Sequence, residues 1–294
     1  GAGWLVENRP ELFREVGFLL NEGGGGEMVD GRAAYGVEVT QKVPYWLRLT
    51  SGGDPGHGSR PAVTTAVTEL VAALDRLRRH SFPARIVPAV DAMFRGIASG
   101  HPEPWRTRFQ DPAGSLGEPA VLRELQEYDP GLHALTRNTC SITRLSGSEK
   151  INVVPTEAWA EIDCRLLPDQ DPESWLAELG EVLGPEVEVE VLIGFSPAVS
   201  TTDTELYRTM REVTREVFPG AAFVPQVQGG FTDSHFFRDL GIVSYGYSPM
   251  APPQEDKSGV HGNNERISVE NVRRGTAMML RIVERFAAER PVSE

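Results

Sequence analysis

Helix-like and strand-like hydrophobic patterns alternate along most of the chain, and this alternation limits it to a compact α/β arrangement. The clearest strand pattern runs from Ala158 to Leu166, where apolar and polar residues alternate. Asp171-Pro172 then begins an amphipathic helix, and a second alternating run at 186–191 follows it. Strand, helix and strand in this order predict an α/β unit.

The same patterns predict two domains. A strand at 45–50 and a helix from Val63, with Pro61 in its first turn and Ser59 as its cap, open a middle block that we expect at 42–193. Helices at 204–218 and 268–288 and a strand at 242–247 follow that block. We therefore expect 1–41 and 194–294 to form one domain, with 42–193 inserted into it. The tract 95–129, rich in Pro and Gly, is predicted to be irregular.

Composition excludes several classes of protein. With 40% hydrophobic and 24% charged residues the chain is globular, and a net charge of −13 argues against binding to nucleic acid or anionic membranes. No apolar run approaches the roughly 20 residues of a bilayer span, and no signal segment opens the chain. Cys140 and Cys164 are too few for a disulfide framework, and we expect them to be buried small hydrophobes in a reducing, cytoplasmic compartment.

Polar residues beside glycine are the strongest chemical signal. Nucleophile-elbow, phosphate-loop and dinucleotide motifs are missing from the sequence. Instead Glu22, His57, Thr232, Asp233 and His261 lie in glycine-containing segments, where small neighbours let a ligand approach the backbone. Each residue taken alone could equally satisfy a turn. Together they predict loops that converge on a ligand.

Five segments taken in order resemble the M20 family of metallopeptidases and amidohydrolases. They are LLNEGG at 19–24, DPGHGSRP at 54–61, SGSEKINVVPTEAWAEIDCRLLP at 146–168, GGFTDS at 229–234 and SGVHGNNERISVEN at 258–271. The resemblance covers nearly the whole chain. It implies an α/β zinc-peptidase catalytic domain with a mixed sheet, here partial, and an inserted α+β lid or dimerisation domain, often a homodimer contact.

The resemblance also implies two zinc ions and a catalytic group. Glu22 matches one metal ligand and His261 matches another, which serve different ions. His57 matches the lid histidine that stabilises the developing oxyanion, frequently in the active site of the other subunit.

Substrate contacts follow from the same resemblance. Asn152 and Arg165 match lid residues that grip a substrate carbonyl or carboxylate, and Gly230, Thr232 and Asp233 match a turn that lines the pocket. The implied substrate is a small peptide or an N-acyl amino acid with a free carboxylate, cleaved at its amide bond.

Arg165 also has a simpler interpretation. It lies on the polar face of its predicted strand, where it could pair with Asp163 or Glu161 instead of a substrate.

One departure from the family pattern is large. The family's His-x-Asp pair, bridging aspartate and Glu-Glu pair all precede the position of Glu22, yet no histidine precedes His57 and the chain begins at Gly1. We therefore expect a fragment that is inactive alone and holds zinc weakly or not at all. The alternative is a non-catalytic truncated relative that serves as a dimerisation or ligand-binding module.

Overall fold

The computed structural model describes residues 1–29, 32–253, 256 and 262–288. The strands are β1 (Phe18–Asn21), β2 (Gly25–Val29), β3 (Arg32–Gln41), β4 (Val43–Gly52), β5 (Gly56–His57), β6 (Thr139–Ser146), β7 (Val153–Val154), β8 (Glu157–Leu166), β9 (Glu188–Gly194), β10 (Ala222–Gln228) and β11 (Val243–Gly246). The helices are α1 (Ala2–Asn8), α2 (Ala66–Arg79), α3 (Pro88–Ile97), α4 (Trp105–Gln110), α5 (Pro112–Ser115), α6 (Pro119–Tyr128), α7 (Pro130–Ala134), α8 (Pro172–Leu183), α9 (Glu205–Val217), α10 (Ser234–Asp239) and α11 (Val269–Ala288).

These elements form two compact units. The first contains 1–41, 86–124 and the described residues from 198 onwards, and the second contains 42–85 and 125–197. The predicted α/β fold with a mixed sheet and a second α+β unit is confirmed. None of the described helices is long and apolar enough to cross a membrane.

The first unit is built on a mixed sheet in the order β1-β11-β3-β10, with β2 paired to β3. β1 runs parallel to β11, and β3 runs parallel to β10. A single antiparallel pair, Gly246 with Glu38, joins the two halves. The core includes Tyr35 and Val37 of β3 and Met210 of α9. The sheet therefore brings the end of β1 and the end of β11 to the same edge.

The second unit is a four-stranded antiparallel sheet in the order β6-β8-β4-β9. Leu47 and Ile162 from its centre pack with Leu70 of α2 and Trp175 of α8, all of them buried. The polar residues that alternate with the core positions therefore lie on the other face of the sheet.

Residues 86–124 depart from the sequence expectation in two ways. The tract 95–129, predicted as irregular, instead forms the end of α3 and the short helices α4, α5 and α6, which prolines separate. Residues 86–124 also group with the first unit rather than with the middle block. Met93 of α3 accepts a bond from Val227 N at 3.4 Å, and a Cβ at Gly96 would lie 2.2 Å from Val224, so α3 packs tightly on β10.

The start of α2 also differs from the prediction. The helix begins at Ala66 rather than near Val63, because Thr65 caps it. Thr65 Oγ1 accepts from Thr68 N at 3.2 Å, and Thr68 Oγ1 accepts from Thr65 N at 2.7 Å. This reciprocal pair is a capping box with threonine in place of the usual glutamate.

Lys42 is a buried cation at the first residue of the second unit. Its Nζ donates to Ala134 O at 2.9 Å and also to Arg137 O. Burial lowers the pKa of Lys42 to about 7, and the nearby cations Arg165 and Arg137 add to the shift. Above pH 7 the folded chain loses this proton while the unfolded chain, with a lysine pKa of roughly 10.4, keeps it.

We expect this difference to make the second unit more stable as the pH rises from 7.5 to 9.5. Stability increases with pH wherever the unfolded state binds more protons, so the wild type should gain about 2 to 3 kcal/mol relative to Lys42→Met over that window. Denaturant unfolding at both pH values measures the difference. An equal response of both proteins would show that Lys42 keeps its charge in the fold.

Candidate functional site

His57 and Asn152 lie together at one end of the second unit. β5 pairs with β7 so that His57 is opposite Val153, and Gly58 N donates to Asn152 O at 2.8 Å. A Cβ at Gly58 would lie 3.4 Å from the backbone of Asn152, in van der Waals contact with it. The two sequence motifs are thus neighbours in space.

The hydrogen bonds of His57 determine which of its nitrogens carries the proton. Nδ1 accepts from Ser59 N at 3.1 Å and lies 2.8 Å from Ser59 Oγ. A nitrogen that accepts a backbone N–H bond has no proton of its own, so the neutral ring carries its proton on Nε2. Because the residue is exposed, His57 presents an Nε2–H donor to a ligand.

Arg165 already has a carboxylate partner. Its Nε and Nη2 donate to the two oxygens of Asp163 at 2.6 and 3.0 Å, and Trp46 Nε1 donates to Asp163 at 3.0 Å. The simpler interpretation of Arg165 therefore describes this structure. A substrate carboxylate could take the paired bonds from Nε and Nη2 only by replacing Asp163.

Arg165 and His57 lie at opposite ends of the second unit. In the β4–β8 ladder Arg165 is opposite Pro44, whereas Gly52 is opposite Glu157. His57 lies beyond that far end. Eight residues of strand span about 27 Å, so one small substrate could not contact both side chains of the same chain.

Glu22 follows β1 at the carboxyl edge of the sheet in the first unit. We call residues 22–25 the Glu22 turn. Asn21 just before it accepts from Tyr247 N at 3.1 Å and donates to Ser234 Oγ at 3.2 Å. Glu22 is exposed. Gly23 and Gly24 have φ values of 115° and 59°, which strongly favour glycine.

Thr232 and Asp233 belong to a second turn, residues 230–233, which we call the Thr232 turn. Thr232 N donates to Gln41 Oε1 at 2.9 Å, and Thr232 Oγ1 accepts from Ser234 N at 3.3 Å. The bond between Asn21 and Ser234 places this turn beside the Glu22 turn. A side chain at Gly230 would meet only Gln228 Nε2, at 3.9 Å, so space does not require glycine there.

The predicted zinc ligands do not form a site within the described residues. His261 lies outside them. Among the described residues, no group of three His, Cys, Asp or Glu side chains could hold a metal ion. A closed zinc site uses about four ligands, so this part of the chain does not fit one.

Cys140 and Cys164 form a disulfide, which the sequence analysis did not expect. The two residues are directly opposite each other on β6 and β8. The interpretation as unlinked small hydrophobes is therefore wrong. Because disulfides persist mainly in oxidising compartments, the cysteines give no support to a reducing location. Their pairing depends on strand register, which two isolated cysteines do not indicate.

A buried ion pair is the second feature that the sequence analysis missed. Glu38 Oε1 and Arg238 Nη2 are 2.7 Å apart, and their side chains are 0% and 3% exposed. Burial raises the pKa of Glu38, and the Arg238 guanidinium opposes that rise. An acidic residue between Val37 and Val39 in an apolar run was the available signal.

His235 lies next to that pair and is also buried. Its ring is 3.7 Å from the ring of Phe236, and burial lowers the pKa of His235 to about 4. At neutral pH the ring is uncharged.

Comparison with known proteins identifies the family. The profile of the M20 peptidase dimerisation domain matches residues 39–190, more than half of the chain. The chain belongs to the M20 family. It is 31% identical over 288 residues to the N-fatty-acyl-amino acid synthase/hydrolase PM20D1 of Xenopus tropicalis, covering 92% of this chain and 54% of that protein.

Two further proteins are similar to this chain. Aminoacylase-1A of Rattus norvegicus is 27% identical over 97% of this chain and 60% of its own length. The crystal structure of an M20 metallo-carboxypeptidase from Sulfolobus solfataricus matches with a TM-score of 0.67 at 19% identity, over 96% of this chain and 66% of that one. The chain spans about half the length of the first curated relatives it matches.

Proposed function

We propose that this chain is part of an M20 hydrolase that cleaves amide bonds in N-acyl amino acids or small peptides with a free carboxylate. Family membership over residues 39–190 is the observation that carries the proposal. The relatives include an N-fatty-acyl-amino acid synthase/hydrolase and an aminoacylase. The test is release of free amino acid from acylated amino acids and dipeptides.

His57 is the proposed oxyanion stabiliser. Attack on an amide carbonyl places negative charge on its oxygen, and a positioned N–H donor is worth most when it faces that charge. The bond from Ser59 N to Nδ1 leaves Nε2–H for this purpose. Asn152, held beside His57 by the β5–β7 ladder, is proposed as a second substrate contact at the same end.

Arg165 is the proposed clamp for the substrate carboxylate. Its planar fork matches a carboxylate through two parallel bonds, as the pairing with Asp163 shows. Gly230, Thr232 and Asp233 are proposed to line the pocket in the first unit, beside Glu22.

Two copies of the chain are proposed to complete each site. His57 and Arg165 cannot reach one substrate within a single chain, whereas a homodimer could bring His57 of one subunit to Arg165 of the other. Exposed apolar side chains on the second unit support self-association. Val67 and Val71 on α2 are 36% and 58% exposed, and Leu145 on the edge strand β6 is 63% exposed.

A mixing experiment tests this arrangement. In the full-length hydrolase, His57→Ala and Arg165→Ala should each be nearly inactive, but co-refolded together they should recover about one quarter of wild-type activity, because about half of random dimers are mixed and each mixed dimer has one intact site. The matched control mixes His57→Ala with Asn152→Ala, which should recover nothing because both residues serve the same site. No recovery in the first mixture would place His57 and Arg165 in one subunit.

Glu22 and His261 are proposed as zinc ligands of the working enzyme. Two ligands fall short of the usual four, so we expect the chain alone to bind well under one zinc ion per molecule after dialysis. Elemental analysis measures the ratio. Tight binding of two ions would show that this chain holds a complete site and would contradict the expectation of an inactive fragment.

The second candidate is a non-catalytic dimerisation or ligand-binding module. The lack of a three-ligand group among the described residues favours it. A full-length protein that dimerises but neither retains zinc nor hydrolyses any acylated amino acid or dipeptide would support the module and reject the hydrolase.

A further inference from the structure

The Glu22 turn rests directly on the buried carboxylate of Glu38. A Cβ at Gly246 would lie 2.6 Å from Glu38 Oε2 and 2.6 Å from Glu22 O, and one at Gly23 would lie 3.6 Å from Glu38 Oε2. These distances place the carboxylate of Glu38 close to the backbone around Glu22. The position of Glu38 therefore limits where the Glu22 turn can lie.

Arg238 connects this carboxylate to the segment that follows the Thr232 turn. It lies on α10, which begins at Ser234. Besides Glu38, its guanidinium donates to Ser200 Oγ at 3.1 Å and to Ser244 O at 2.9 Å. The ion pair with Arg238 thus connects Glu38 to α10, the helix that begins directly after the Thr232 turn.

Strand β3 supplies a second bond to the same turn. Gln41 Oε1 accepts from Thr232 N at 2.9 Å. In a regular strand, residues 38 and 41 would point to opposite faces. The register of β3 against β10 shifts at Val39, where Gln226 and Val227 pair with Glu38 and Thr40. One extra residue in β3 reverses the alternation of its side chains between the two faces of the sheet. Glu38 and Gln41 can therefore both contact the turns on one face.

A buried ion pair is a poor way to stabilise a fold. Removing two charges from water costs free energy that their attraction only partly returns, and apolar replacements are often at least as stable. The Glu38–Arg238 pair is buried beside the two turns. Its presence there is better explained by the positions that it imposes on those turns.

We propose that Glu38 and Arg238 are positioning residues, which fix the Glu22 turn against the Thr232 turn. The inference rests on the proposed function, because those turns carry the proposed metal ligand and pocket residues. The inference concerns how rigidly the two turns are held, however, and amide exchange in those turns can be measured in a protein that has no activity.

Hydrogen–deuterium exchange of the full chain tests whether Glu38 and Arg238 hold the two turns in place. In Glu38→Gln, which keeps the side-chain shape but removes its charge, amides at 20–26, 231–234 and 244–247 should exchange at least about tenfold faster. Amides of α9 and of β8 should keep their wild-type rates. Arg238→Lys keeps the positive charge but loses the fork, so it should show a smaller acceleration at the same amides.

The matched control is Glu216→Gln, which breaks an exposed pair with Arg285 in the same unit and should leave the turns unchanged. Unaltered exchange at the turns in Glu38→Gln, or uniform acceleration across the first unit, would overturn the proposal. So would failure of both Glu38→Gln and Arg238→Lys to fold, because the pair would then support the whole unit.

Hydrolysis gives a separate measurement. If the wild-type chain releases amino acid from an N-acyl amino acid, Glu38→Gln should lower kcat at least about tenfold while KM changes by less than about threefold. A change in KM alone would count against positioning of the reacting groups. Because this chain alone is expected to be inactive, an inactive full-length protein, not an inactive chain, would count against the proposed function, whereas the exchange result would still decide the role of the pair.

Discussion

Replacing His57 by alanine is expected to lower kcat of the active hydrolase about 100- to 1000-fold. Removal of one oxyanion donor costs about 2.7 to 4 kcal/mol of transition-state stabilisation in a serine protease. The Nε2–H of His57 is the proposed donor, since Nδ1 accepts from Ser59 N. KM should change little, because the charge on the oxygen develops only during the reaction. Steady-state kinetics with an N-acyl amino acid measures both constants.

Two further measurements separate this role from others. Ser59→Ala keeps the backbone N–H that bonds Nδ1 and should retain most of the activity. Zinc content should be the same in His57→Ala and in the wild type. A loss of zinc together with activity would show that His57 is a metal ligand and not an oxyanion stabiliser.

Removal of the disulfide is expected to destabilise the second unit by about 3 kcal/mol. Cys140 and Cys164 are 24 residues apart, and closing a loop of that length restricts the unfolded chain by roughly this free energy. In Cys140→Ala/Cys164→Ala the midpoint of thermal unfolding should fall by about 10 °C. The bond also holds the edge strand β6 to β8, so β6 should lose exchange protection first.

Reduction provides the control. Dithiothreitol should lower the midpoint of the wild type to that of the double variant and leave the variant unchanged. Titration of the denatured wild type should find no free thiol. Two free thiols in protein purified without reductant would show that the cysteines are not linked, and the expected loss of stability would not follow.

Much of the fold could be predicted from the periodic spacing of hydrophobic residues along the sequence. The alternation at 158–166 corresponds to β8, and Asp171-Pro172 marks the start of α8 with Asp171 as its cap. The predicted helix at 204–218 is α9, capped by Thr204. These elements each have one buried face and one polar face, which is why a single sequence reveals them.

The short helices of 86–124 could not be predicted in this way. Prolines divide them into helices of at most ten residues, and they pack through α3 against β10, more than 100 residues later in the chain. Their grouping with the first unit depends on that long-range contact. Sequence alone therefore favoured the simpler division at 42–193.

The candidate site was only partly accessible to sequence reasoning. Motifs singled out His57, Asn152 and Arg165, but the register of β4 and β8 was needed to show that Arg165 lies far from the other two. The partner of Glu38 is 200 positions away along the chain, beyond any local pattern. The meeting of Glu22 with His261 stays a prediction.

The bond between Arg165 and Asp163 has a consequence for selectivity. Asp163 acts as a tethered competitor, present at a high effective concentration beside the guanidinium. Small free anions such as acetate would rarely displace Asp163 from Arg165. A ligand that is also bound at other residues could displace it, because those other contacts would offset the free energy lost with the Asp163 bonds. If Arg165 is the carboxylate clamp that we propose, its charge would therefore stay compensated between substrates.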